Sequence, residues 1–113
     1  MKWIKIDEDN YFKVDLNKLT KIEIDTYRSG VHLKNKKDTI KSYIIKLYYA
    51  GDEYHCLWEI MDKVIAREIV AYLLGFLNDT VLDASDDFTA TVFELEDAHK
   101  NYLFENCEYI ERG

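Results

Sequence analysis

Two short stretches of this chain bring metal-ligand side chains close together: His55-Cys56 and Glu96-Asp97-Ala98-His99. Imidazole and thiolate suit zinc-like ions, and E-x-x-H is the spacing with which helical bundles hold paired irons. Neither stretch goes far on its own. Neighbours on a strand point to opposite faces, so His55 and Cys56 do not readily share one ion. A di-iron bundle needs E-x-x-H twice and two further glutamates, whereas here the motif occurs once, in a chain that reads as half sheet. His99 therefore reads as a partly buried helix histidine, and no metal or other cofactor is expected.

Nucleophilic chemistry has no better footing. Ser29, Ser42 and Ser85 stand outside any G-x-S-x-G context. Cys56 and Cys107 lack neighbours that would lower a thiol pKa. The chain has neither a glycine-rich phosphate loop nor a dinucleotide fingerprint. The acid pairs Asp86-Asp87 and Glu96-Asp97 are two among many, and a general acid and base need unequal surroundings that sequence does not reveal. The expectation is a protein that is not an enzyme. A hydrolase or nuclease holding its metal with scattered acids is a lesser alternative.

The distribution of charge says more. Residues 79–113 hold ten carboxylates and two cationic side chains, a formal charge of −8 in a protein whose whole net charge is −7. An imbalance of this kind concerns partners rather than fold, and it disfavours direct binding to nucleic acid. The opposite sign collects between Arg28 and Lys46, where Arg28, Lys34, Lys36, Lys37, Lys41 and Lys46 face a single acid, Asp38. Tyr27, Tyr43 and Tyr48 lie in or beside that stretch. Cations interleaved with aromatics can bind single strands, but a solvated loop with lysines guarding a strand edge is the simpler reading.

These side chains need elements to position them. Trp3–Ile6 and Tyr11–Val14 read as short strands around the polar turn Asp7-Glu8-Asp9-Asn10. Thr20–Tyr27 alternates, with Ile22, Ile24 and Thr26 opposed to Lys21, Glu23 and Asp25, as a half-buried antiparallel strand requires. Thr39–Tyr49 and Glu53–Ile60 read as a hairpin closed at Ala50-Gly51-Asp52, where glycine supplies positive φ. The period then changes to 3.6. Asp62 is placed to cap a helix reaching about Asn78, whose apolar arc runs through Ile65, Ala66, Ile69, Val70, Tyr72, Leu73, Leu74, Phe76 and Leu77. So wide an arc predicts cover on two sides. Asp79–Thr91 reads as a connector, with a strand-like stretch at Phe88–Phe93.

Thr91-Val92-Phe93-Glu94 matches a capping box and predicts a second helix running to about Glu111, about 27 Å long. Ala98, Tyr109, Tyr102, Leu95, His99, Ile110 and Leu103 share one arc, with the acids opposite. Glu105, Glu108 and Glu111 recur every third residue with no lysine among them, and Phe104 projects from the same face. An aromatic anchor within like charge is how a steered protein interface is commonly built.

The expected fold is α+β: an antiparallel sheet of about five strands in a meander, a buried central helix and a C-terminal acidic amphipathic helix. Residues 1–113 are expected to form one domain, large enough to bury roughly two-thirds of its unfolded surface. Two cysteines are too few for a disulfide framework, and neither a signal peptide nor a membrane-spanning run is present, so a cytoplasmic location with free thiols is expected. The leading functional expectation is a small binding or inhibitor protein. Its face of Glu94, Asp97, Phe104, Glu105, Glu108 and Glu111 would dock on a basic surface of a partner protein, competing with nucleic acid where that surface holds it. Size and acidity match the style of phage anti-defence, anti-CRISPR and toxin-immunity proteins, though no motif of any such family occurs. The alternative is a self-associating structural or adaptor domain, a homodimer formed through exposed aromatics such as Trp3, Tyr48 or Trp58.

Overall fold

Local sequence decides where the strands and the long helix start and stop. The computed structural model describes residues 2–29, 32–33, 36–37, 40–78 and 92–106. In chain order its strands are β1 Lys2–Lys5, β2 Tyr11–Val14, β3 Leu19–Ser29, β4 His32–Leu33, β5 Lys36–Lys37, β6 Ile40–Tyr49 and β7 Tyr54–Ile60. Helix α1, Lys63–Leu77, is followed by β8 Val92–Phe93, a single-turn helix α2 Asp97–Lys100 and a 3₁₀ turn Phe104–Asn106.

The turn between β6 and β7 takes the form its residues demand. Gly51 has φ +89° and Asp52 φ +63°, both in the left-handed region that glycine, and to a lesser degree aspartate, tolerates. The start of α1 is equally local. Asp62 stays extended while its carboxylate accepts from the N–H groups of Val64 at 2.8 Å and Ile65 at 3.1 Å. Those donors lack intrahelical partners, so the cap supplies them.

The strands do not form one five-stranded meander. They divide into a sheet ordered β2-β1-β8 and a sheet ordered β3-β6-β7, with β4 and β5 as a small separate pair. β1 is antiparallel to β2 and parallel to β8, so Trp3 lies beside Val92 and Ile4 beside Phe93. Alternation reports that a strand has a buried face. It does not report which strand lies next to it, and here the partner comes from the far end of the chain.

The same pairing corrects the expected C-terminal helix. Val92 and Phe93 enter a sheet where a helix was expected, and after them the described helical residues are limited to the single turn α2 and the 3₁₀ turn. Phe93 explains why tertiary packing prevails over the capping pattern. Its ring lies 6.0 Å from that of Trp58 and 5.6 Å from that of Phe76, filling the joint between both sheets and α1.

One core serves all these parts. Ile4 and Val14 from the first sheet, Ile45, Leu47, Trp58 and Ile60 from the second, Ala66, Ile69, Leu73 and Leu77 from α1, and Leu95 are buried together. α1 packs on β6, β3 and β7. Its other flank meets the C-terminal segment, where His99 is buried 3.3 Å from Glu68 and its ring lies 5.6 Å from that of Tyr72. The helix is thus covered on two sides, although Tyr72 and Leu74 remain exposed at the margins of the expected arc. No described helix is long and apolar enough to cross a membrane.

Candidate functional site

The end of β1 runs into Ile6 and the turn Asp7-Glu8-Asp9-Asn10, whose shape its own side chains hold. The Asp7 carboxylate accepts the N–H of Asp9 at 2.9 Å and the side-chain amide of Asn10 at 2.8 Å. Those bonds, the Asp9 N–H foremost, keep the Asp7 carboxyl below its ordinary pKa, so it stays ionised well into the acidic range. Trp58 on β7 donates its indole N–H to the Ile6 carbonyl at 3.0 Å, which fixes this turn against the second sheet. The C-terminal segment closes the third side. Met61 N–H donates to Tyr102 O at 2.8 Å, and Leu103 forms a bridge with Ile60.

Between these three pieces lie two adjoining hollows. The first, about 220 Å³, has a floor of Ile6, Leu95 and Leu103 and a rim of Lys5, Asp7, Glu8, Glu94, Lys100 and Glu105. Four of its charges, Lys5, Glu8, Glu94 and Lys100, are already matched to one another. Glu94 sits 3.5 Å from Lys5 and 3.3 Å from Lys100, and Lys5 also reaches Glu8 at 3.4 Å. The Lys100 hydrogen bond outweighs the opposing effect of burial and, with the charge of Lys5, holds the Glu94 carboxyl below the usual carboxylate range.

The second hollow, about 200 Å³, is different. Ile6, Leu57, Trp58, Leu103 and Phe104 form its apolar walls, and Asp7, Glu59 and Glu105 supply its charge. Among the described residues, no lysine, arginine or histidine lines it. Glu59 is oriented from outside, accepting the hydroxyl of buried Ser42 at 2.5 Å. Three carboxylates over an aromatic and aliphatic wall suit a group with an apolar stem and a cationic head, which describes a lysine or arginine side chain.

The six acidic and aromatic positions singled out above fare unequally. Phe104 and Glu105 line the second hollow, with Glu105 shared by the first. Glu94 lies on the rim of the first hollow, tied to cations. Asp97 is fully exposed at the start of α2, 3.8 Å from Lys100. Glu108 and Glu111 lie outside the described residues. Asp7 enters the site from the turn after β1 and Glu59 from β7, and sequence reasoning passed over both. The run Asp7-Glu8-Asp9 is acidic enough to have flagged the turn, but nothing near Glu59 marks it.

The other chemical candidates resolve into local contacts. His55 packs its ring 4.6 Å from Phe12 and 5.7 Å from Tyr49, while Cys56 is exposed and pairs across the sheet with Lys46. Among the described residues no three metal-ligand side chains converge on a common point. Cations and tyrosines of the central sheet largely satisfy one another. Lys46 bonds Asp25 at 2.7 Å and lies 4.8 Å over the Tyr54 ring, and Lys21 lies 4.4 Å over Tyr48. Trp58 is buried, so it is not an exposed aromatic available for self-association. No protein-family model matches the chain, and neither a curated protein nor a solved structure is found to be similar to it.

Proposed function

We propose that this chain is a binding protein that docks its acidic cleft on a basic surface of a partner protein, seating a lysine or arginine side chain between Asp7, Glu59 and Glu105. The observation that carries this reading is the composition of the second hollow: three acids, an apolar wall and, among the described residues, no lining cation. Water leaves such walls at a gain of roughly 25 cal/mol per Å² of apolar surface, so an aliphatic stem is favoured there. Exposed Asp7 and Glu105 and half-buried Glu59 can each accept a charge-assisted hydrogen bond from the head group.

The excess negative charge of the chain acts at longer range, steering a basic partner before contact and fading with salt. A basic surface that otherwise holds nucleic acid would be blocked by this occupant, which makes the protein an inhibitor in that setting. The test is capture of partners from nuclease-treated host lysate at low and high salt, with the wild-type chain and with Glu105→Lys as baits. A basic protein held by the wild type at low salt and lost with the variant supports the reading. Identical capture by both baits contradicts it.

A further inference from the structure

β3 pairs with β6 along one edge, and no described strand occupies its other edge. An edge of this kind presents a row of N–H and C=O groups ready to accept another strand. Two features on either side of it point to what that strand is. On the helix side lies a groove of about 360 Å³ whose apolar residues are Leu16, Leu19, Ile22, Leu74 and Leu77, with Thr20, Lys21 and Asn78 at its polar side and Leu16 41% and Leu74 43% exposed. The alternate positions along the edge carry Lys21, Glu23 and Asp25, with Lys21 3.0 Å from Glu23 along the same strand.

We propose that β3 pairs antiparallel with β3 of a second copy of this chain, about a two-fold axis through Ile22. Backbone geometry limits the choices. In an antiparallel pair, residues directly opposite must both turn their N–H and C=O groups toward each other or both away. For two identical strands this requires the axis to pass through a residue and its own copy. Charge then selects among the residues, because Ile22 is the one axis position in β3 that sets opposite charges against each other without also opposing like ones. An axis through Lys21, Glu23 or Asp25 sets that charge against its own copy, and an axis through Ile24 sets Glu23 against Asp25 of the second copy. Directly opposed like charges destabilise a sheet.

An axis through Ile22 sets Lys21 against Glu23 of the second copy, and Glu23 against Lys21. Ile22 meets Ile22, and Ile24 of the second copy comes opposite Thr20, at the mouth of the apolar groove. Asp25 falls opposite Leu19, where the strand is irregular beside its bulge, and keeps its own 2.7 Å bond to Lys46. Burial of the groove supplies affinity and the crossed charges supply register, the division of labour expected at an isologous interface. None of these residues lines the acidic hollow of Asp7, Glu59 and Glu105, so the two surfaces are open together.

The test is sedimentation of the full chain over micromolar to millimolar concentrations, with Lys21→Glu, Glu23→Lys and the double swap. The wild type is expected to dimerise. Each single change should raise the dimer dissociation constant roughly tenfold or more, and the double swap should restore it. A wild type that stays monomeric, or a dimer indifferent to both single changes, overturns the proposal. Should a single variant fail to fold, cross-linking decides. In a chain with Cys56→Ser and Cys107→Ser, oxidising a mixture of Lys21→Cys and Glu23→Cys chains should give the mixed disulfide dimer. Its absence under those conditions overturns the proposed register.

Discussion

The ammonium group of Lys2 donates to the carbonyl oxygen of Phe76 at 2.6 Å. It also donates to Leu77 O at 2.8 Å and lies 5.3 Å over the Phe76 ring, while the residue is 1% exposed. The last carbonyls of a helix lack intrahelical donors and carry the negative end of its dipole. The last turn of α1 contains no basic residue, so the cation comes instead from the first strand. One buried contact thus joins β1 to the end of α1 and holds the first sheet, with the cleft at its far end, onto the core.

Replacing that cation should be costly. Lys2→Met preserves most of the volume but leaves the carbonyls of Phe76 and Leu77 without this donor. We expect a loss of about 2 kcal/mol of unfolding free energy, read from chemical denaturation. Lys5→Met, which breaks only partly exposed ion pairs, should cost clearly less. Equal losses for the two variants would contradict the role given to Lys2.

Trp58 tests the joint between the sheets. Trp58→Phe keeps an aromatic ring beside Phe93 but removes the indole N–H that holds Ile6 O. The expected cost is about 1 kcal/mol, with faster amide exchange at the 6–10 turn than at α1. Uniform destabilisation without a local change in exchange would show that the hydrogen bond does not position the turn.

Glu94 gives the pH dependence. Its pKa is lowered in the folded chain, chiefly by the Lys100 hydrogen bond. A lowered carboxylate contributes stability above its unfolded pKa and loses it as pH falls through the folded value. Glu94→Gln should therefore be slightly less stable than the wild type at neutral pH, by under about 1 kcal/mol because the side chain is 47% exposed. The gap should close below about pH 4. A gap unchanged between neutral pH and pH 3 would contradict this assignment.

What could be read in advance followed the range of the forces involved. Asp62, Gly51 and the alternation of Ile22 and Ile24 act within a few residues, and the helix, hairpin and strand they announce are present. The parallel pairing of Ile4 with Phe93 depends on packing between the two ends of the chain, and no local pattern encodes it. Val92 and Phe93 show the conflict directly: a capping pattern around them favoured a helix, while their β-branched and aromatic side chains fitted the sheet and the core. The site was legible to the same degree. Phe104 and Glu105 stood out by spacing, but their companions Asp7 and Glu59 arrive from the turn after β1 and from β7, which only the assembled fold brings together.

The central claim is that a basic partner inserts a cationic side chain beside Glu105. The most direct measurement is the affinity of the captured partner for the wild type, Glu105→Lys and Asp97→Lys, by titration calorimetry at matched ionic strength, with folding of each verified. Asp97 carries the same charge and is fully exposed but does not line the hollow. The account predicts loss of binding with Glu105→Lys, about a hundredfold or more, and no more than about a fivefold loss with Asp97→Lys. Equal, small losses for both would mean that general acidity, and not the hollow, holds the partner.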